Sequence, residues 1–319
     1  MTSLHVYAIP LRTRFRDLGV REGVLVRGPA GWGEFSPFRE YADAEATAWW
    51  RAAREAADGG WPEPLRERVP VNATVPAVPP EDVAGVLERF AGCTTAKVKV
   101  AAAGQHPGDD EERLRAVRDA VGRAGRIRID ANGAWDVGEA TALIPRYDRA
   151  AGGLEYVEQP CRTVEELAAV RRAVGVPIAA DESIRRTGDP ARVADLHAAD
   201  VAVLKVQPLG GVRACLRIAE QIGLPVVVSS ALETSVGIAA GVGLAAALPE
   251  LPYACGLATV GLLEHDVVDD PLVAVDGALP VRRPAPSAER LAAVQADEQT
   301  TAWWTARVTR VERASGRTA

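Results

Sequence analysis

Lysine is nearly missing from this chain. Of its 37 basic residues only three are lysines, Lys97, Lys99 and Lys205, and the other 34 are arginines. The three fall in two valine-rich runs, AKVKV and VAVLKVQP, where scattered surface lysines have no reason to collect. Arginine keeps its charge near neutral pH, whereas lysine can release a proton once burial or a nearby cation lowers its pKa. Cysteine is scarce too. Cys93, Cys161, Cys215 and Cys255 are far apart, form no CxxC pair, and read as free buried thiols in a reducing cytoplasm. No apolar run reaches the roughly 18 residues of a membrane span, and no basic-led signal segment opens the chain, so neither membrane nor export is expected. Positive charge is not in excess either. A net charge of -6 speaks against a nucleic-acid partner, which needs a basic face to neutralise phosphates. No obligate protein partner is evident, and the Ala, Gly, Pro and Arg richness reads as composition bias.

What is present is a regular alternation. In 319 residues there is room for one large α/β barrel or two ordinary domains. Residues 1–68 differ in texture from the rest, with short strands in LHVYAIPL, GVLVRG and GWGEF and an amphipathic helix from Asp43 to Ala57. The polar stretch RTRFRDLGVRE between the first two strands reads as a mobile loop or a long hairpin turn. From Val69, short apolar runs alternate with helical stretches: VPVNATV, AKVKV, RIRIDAN, LEYVEQP, VPIAADES, VAVLKVQP and LPVVVSS, with ACGLA as a plausible eighth run. EDVAGVLERFA is expected to be the first intervening helix, and a polar tail is expected after about Arg310. The pattern predicts a parallel sheet closed into a (β/α) barrel. An open doubly wound sheet is the alternative, but no GxGxxG follows the first run.

Each middle run ends in residues able to do chemistry: Lys97 and Lys99, Asp130 and Asn132, Glu158 and Gln159, Asp181 and Glu182, Lys205 and Gln207, then Ser229 and Ser230. Asp130, Glu158, Asp181 and Lys205 follow one another at spacings of 28, 23 and 24 residues, about one β/α unit each. In a barrel those strand ends meet at one mouth. Three converging carboxylates repel unless a cation lies between them, and an all-oxygen set suits Mg²⁺ first and Mn²⁺ second, rather than zinc. The bland alternative is that each carboxylate caps the following helix. With a metal in place, Lys99 and Lys205 would flank a bound carboxylate substrate and move the proton next to that carboxylate. Lys97, on the same strand face as Lys99, would tune or orient it.

The ordered set KxK at Lys97–Lys99, DAN at Asp130–Asn132, EQP at Glu158–Pro160, DES at Asp181–Ser183 and the lone lysine of LKVQPLGG resembles the enolase superfamily, in its muconate-lactonizing-like subgroup. The resemblance implies a (β/α)7β modified TIM barrel over 69–271. It also implies a small N-terminal α+β capping domain over 1–68, completed by part of 272–319. Asp130, Glu158 and Asp181 would hold Mg²⁺, with Lys99 and Lys205 as the acid/base pair. GWGEFSPF, VPVNATVPA, RIRIDANGAW, SSALETSVG and CGLATVGLLEHDV look most like the subgroup's dehydratase of menaquinone biosynthesis, which removes water from a cyclohexadiene carboxylate to leave an aromatic ring. Lys99 would then serve as base and acid on one face, and Lys205 would stay cationic over the other. The substrate's tail would lie near residues 14–21, Ser229, Ser230 and the 256–259 segment with Gly256 and Leu257. Arg128 reads equally as a structural ion pair or a substrate contact. An N-acylamino-acid racemase or dipeptide epimerase is the nearest alternative, although the cap is short for one and no DxD lies near the eighth run. A Schiff-base lyase on Lys205 and a non-catalytic metal-binding barrel are further alternatives.

Overall fold

The computed structural model describes residues 4–15, 18–185 and 190–316. A long hairpin, β1 (Leu4–Phe15) and β2 (Leu18–Gly28), opens the chain, and β3 (Gly31–Phe35) pairs antiparallel with β2. The polar stretch read as a loop or long turn is mostly strand, since pairing extends to Phe15↔Leu18. It is anchored near both ends: Arg12 donates to the Leu263 carbonyl at 2.9 Å, and Arg21 is buried. Arg16 and Asp17 lie outside the described residues. Helix α1 (Asp43–Asp58) then lays Trp49, Trp50 and Ala53 against this sheet. Gly33 permits the approach, because a Cβ there would stand 2.0 Å from the Ala53 carbonyl oxygen.

The run VPVNATV divides between two sheets. Its start forms β4 (Arg68–Pro70), and its end forms β5 (Ala73–Val75), the first strand of the barrel. The helix expected over EDVAGVLERFA is reduced to a 3₁₀ turn and the five-residue α2 (Val83–Leu87), consistent with Pro79, Pro80 and Gly85 in so short a segment. The alternation then runs β6 (Thr95–Lys99), α3 (Pro107–Val121), β7 (Arg126–Asp130), α4 (Val137–Ala151), β8 (Val157–Glu158), α5 (Val164–Ala173) and β9 (Ile178–Ala180). It continues with α6 (Glu182–Arg185), α7 (Ala191–Asp195), β10 (Val201–Lys205), α8 (Val206–Leu209), α9 (Val212–Ile222), β11 (Val226–Ser229) and α10 (Ser235–Ala247). Strands β5 to β11 form one seven-stranded parallel sheet in chain order. The eighth run makes only single bridges, Val71↔Cys255 and Ser229↔Gly256, yet these join the two sheet edges and close the ring. The architecture is the (β/α)7β barrel with an α+β cap.

After the barrel come β12 (Ala278–Pro280), which pairs with β4, then α11 (Ala288–Ala293) and α12 (Glu298–Ser315). Of the expected polar tail, residues 311–315 are the last turn of α12, and residues 317–319 lie outside the described residues. That helix returns to the cap, where Trp304, Val308 and Val311 share a core with Phe35, Trp49 and Trp50. Buried Arg307 donates to the Phe38 carbonyl at 3.1 Å and to that of Tyr41, so the C-terminal helix also holds the segment after β3.

Helix α10 is apolar on every side and buried from Ser235 to Ala246. Its glycines allow close packing: a Cβ on Gly241 would meet Leu257 at 2.5 Å, and one on Gly243 would meet Trp61 at 2.8 Å. Small residues here have a packing role that a composition-bias reading overlooks. Among the described residues no helix is long and apolar enough to cross a membrane.

Two glycine substitutions should therefore act in opposite directions in chemical denaturation. Gly33→Ala is expected to cost about 1–3 kcal/mol or more, because the clash is with backbone. Gly85→Ala, which meets nothing within 4 Å inside α2, is expected to stabilise by roughly 0.5–1 kcal/mol.

Candidate active site

The seven strands all point their carboxyl ends at one mouth, and the cap covers it. Side chains of alternate residues fill the barrel interior in layers. Arg128 and Tyr156 lie deepest. Arg128 is fully buried, pairs with Glu155, donates to the Ala254 carbonyl at 2.7 Å and stacks over the Tyr156 ring at 4.6 Å. It is not among the residues that line the cleft, and its partners are those of an ion pair within the barrel. One layer up, Lys97 Nζ donates to both oxygens of Glu158, at 3.0 and 2.8 Å, and stands 3.6 Å from Asp130. At the mouth Lys99 bonds Asp130 and donates to Asn132 Oδ1 at 2.8 Å, while Lys205 bonds Asp181.

Asp130, Glu158 and Asp181 are all 0 % exposed. Carboxylates so placed must be matched by cations. Burial alone would raise the Asp130 pKa, but Lys99, Lys97 and Lys205 together hold it well below the ordinary carboxylate range. Asp181 is held low in the same way by Lys205 and Arg185. Glu158 is pushed upward by burial and then by Asp130, with Lys97 opposing. Burial also works against the charge on Lys97, yet Glu158 and Asp130 outweigh it and hold that lysine above its usual range. Lys99 is lowered, first by burial; Asp130 opposes and the neighbouring Lys97 cation adds to the fall. Lys99 is therefore the lysine whose surroundings favour loss of a proton, and Lys97 contributes to that.

Helix capping does not account for these carboxylates. Asp136 caps α4 and Thr163 caps α5, each in a reciprocal capping box with the residue three positions on. Asp181 does precede the single turn α6, but its side chain engages Lys205 and Arg185. Backbone strain gathers at the same rim. Ala101, Asn132, Gln159 and Leu232 have φ of 57°, 48°, 41° and 66°, each just past a strand end. Non-glycine residues in that region persist where surrounding contacts over-determine them, often at working sites. Gln159 shows how: its Oε1 accepts from the Asp181 and Ser183 amides at 2.9 and 3.1 Å, tying one strand end to the next.

The mouth opens into a cleft of about 540 Å³, open solvent included. Lys97, Lys99, Asn132, Lys205, Ser229, Ser230 and Gly256 line it. Leu257 does not; it packs behind, against Gly241. Several cleft residues had no sequence signal strong enough to single them out. Phe15, Phe38, Tyr41 and Trp49 come from the cap, and Thr74 and Arg185 from the barrel. Thr74 Oγ1 and Trp49 Nε1 are buried without a hydrogen-bond partner. Arg185 could have been found by its place four residues after Asp181 at a helix start; it donates to Asp181, to Glu182 and, at 3.1 Å, to the Tyr41 hydroxyl. The cysteines take no part. Burial pushes the Cys93 and Cys255 thiols up to about 11 and Cys161 up to about 12. Cys93 is half-buried rather than buried.

Residues 82–286 match the family described as enolase C-terminal domain-like, and residues 6–57 match enolase N-terminal domain-like. The chain belongs to the enolase superfamily. It is 66% identical over 302 residues to an o-succinylbenzoate synthase of Thermobifida fusca, covering 95% of this chain and 93% of that one. Against an o-succinylbenzoate synthase of Mycolicibacterium smegmatis it is 57% identical, covering 96% and 94%. A muconate lactonizing enzyme from Pseudomonas fluorescens shares the fold at a TM-score of 0.80 and 22% identity, over 93% of this chain and 98% of that one.

Enolase-superfamily enzymes depend on a divalent metal. Among the described residues no three carboxylate, histidine or cysteine side chains stand within common ligating reach, and a lysine engages each of the three strand-end carboxylates. The donor set nevertheless suits a hard cation. It consists of three fully buried carboxylates at consecutive strand ends, with no thiolate or imidazole. Beside them, Glu182 Oε2 is a buried acceptor without a partner.

Arg128→Met is expected to destabilise the fold by about 3–5 kcal/mol, because Glu155 loses a buried partner. Urea unfolding would measure this. An unchanged stability with a raised KM would instead place Arg128 in substrate binding.

Proposed function

We propose that this protein is an o-succinylbenzoate synthase. It takes 2-succinyl-6-hydroxy-2,4-cyclohexadiene-1-carboxylate, removes water from one face of the ring, and releases 2-succinylbenzoate, a step of menaquinone biosynthesis. One observation carries the reading: Lys99 and Lys205 lie on strands four positions apart in the ring, so they face each other across the cleft. The identity with named synthases over almost the whole chain chooses the reaction among those such a pair can perform. The protein is then a carbon–oxygen lyase. We assign residues 1–68, with part of 272–319, as the cap and 69–271 as the barrel, and place the enzyme in the cytoplasm.

Asp130, Glu158 and Asp181 would hold Mg²⁺, with Mn²⁺ as a substitute. When bound, the ion supplies positive charge to the substrate's ring carboxylate as the adjacent carbon loses its proton. Lys99, as the neutral amine, takes that proton. The ammonium so formed returns it to the hydroxyl leaving from the same face, so water departs, the ring becomes aromatic and the amine is regenerated. Lys205 stays cationic on the opposite face, where its charge favours the developing π system. Lys97, held to Glu158, contributes to keeping Lys99 deprotonated. Lys97, Lys99, Lys205 and Arg185 face Asp130, Glu158, Asp181 and Glu182. With Lys99 as the neutral amine the site carries one negative charge, and a divalent ion entering with a dianionic substrate leaves that charge unchanged.

The same opposed lysines would suit a racemase or epimerase, which needs a proton carrier on each face. An aromatisation assay separates the readings. We expect turnover that EDTA abolishes and Mg²⁺ restores. Lys99→Ala should lose at least about 10²–10⁴-fold in kcat. Lys205→Ala should retain slow dehydration, reduced by roughly 10–100-fold. Rapid α-proton exchange on N-acylated amino acids, with no dehydration, would sink the synthase reading.

A further inference from the structure

The cleft wall after β11 is held in place from the cap. Ser229, Ser230, Ala231 and Leu232 form that wall, and Leu232 sits in the left-handed region at φ 66°. A leucine does not take that conformation unaided. The groups that impose it come largely from the cap. Arg21 of β2, 2 % exposed, donates from Nε to the Leu232 carbonyl at 2.9 Å and from Nη2 to the Ala231 carbonyl at 3.2 Å. The same guanidinium bonds the Ser36 carbonyl and stacks over the Phe38 ring at 4.7 Å, another cleft residue. Glu34 of β3, also buried, accepts from the Thr234 and Gly237 amides at 3.1 and 3.0 Å, at the start of α10. Tyr7 and Ser36 hydroxyls each donate to Glu34 at 2.7 Å. Ser36 reaches the other wall, because its amide donates to Gln207 Oε1 at 3.1 Å, two residues beyond Lys205. Within the loop itself, Glu233 accepts from the Ala231 amide at 2.6 Å.

We infer that Arg21 and Glu34 are positioning residues that fix the 230–234 loop, and so shape the end of the cleft that receives the substrate's succinyl tail. Neither side chain lines the cleft. Each acts through backbone groups of residues that do. Arg21 uses four of its donors on carbonyls, that of Glu22 included, in a fixed fork that a lysine's point charge does not reproduce. The cap's contribution to specificity is then not confined to the side chains it places against substrate; it also sets the backbone shape of a barrel loop.

The inference about the tail rests on the synthase reading, so the test has one arm independent of turnover. Amide hydrogen exchange is followed in the whole protein for wild type, Arg21→Gln, Arg21→Lys and Glu34→Gln, with thermal melts alongside. Exchange over residues 230–237 should quicken by about tenfold or more in Arg21→Gln relative to the rest of the barrel, and by less in Arg21→Lys and Glu34→Gln. In the second arm, Arg21→Gln should raise KM for the cyclohexadiene carboxylate by about tenfold with kcat within roughly threefold of wild type. It should weaken 2-succinylbenzoate binding similarly and leave binding of tailless benzoate unchanged. A lowered melting temperature with no local change in exchange and an unchanged KM would reduce Arg21 to ordinary structural support and overturn the inference. If Arg21→Gln does not fold, Glu34→Gln and Arg21→Lys decide on the same criteria. Wild type with no turnover would end the synthase reading, and exchange alone would still decide whether the cap fixes this loop.

Discussion

A dry cavity cannot hold three carboxylates without cations, and much of this molecule follows from that constraint. Asp130, Glu158 and Asp181 are wholly buried at neighbouring strand ends, where isolated charge would be far too costly. Three lysines answer three carboxylates, one for each. The arrangement stores opposite charges in positions from which they can be redistributed. Under the proposed function, a divalent ion would take over the carboxylates from these ammonium groups.

The cap is the second requirement. A barrel mouth open to water would screen these charges and level the differences between Lys97 and Lys99. The hairpin, α1 and the returning α12 bury aromatic residues together and present Phe15, Phe38, Tyr41 and Trp49 to the cleft. Arg307 and Arg21 are both buried and both bind backbone carbonyls, of the Phe38–Tyr41 segment and of the Ala231–Leu232 loop respectively. In an arginine-rich chain the guanidinium thus serves as a clamp for loops, while the rare lysines pair with the buried carboxylates at the barrel mouth.

The repeat of strand and helix was legible because each barrel strand is a short, nearly continuous apolar run ending in a polar residue. The sheet order followed from chain order alone. Less legible were elements whose pairing partner lies far away. The polar hairpin looked like a loop because four of the eleven residues in RTRFRDLGVRE are arginines. The eighth strand was marked by one short run and survives only as two bridges. Helix α12 was underestimated at its end because its last turns are polar and solvated.

The sequence by itself determined the barrel class and the carboxylate and lysine positions, because those residues recur once per β/α unit and a closed parallel sheet must gather them at one mouth. Only the tertiary structure decided which lysine faces which carboxylate and that Arg128 is sealed beneath the cleft. It also decided that Leu257 lies behind the wall and that cap residues form the roof. These depend on depth within the barrel and on contacts between segments more than two hundred residues apart, such as Arg21 with Leu232. Local periodicity carries no record of such contacts.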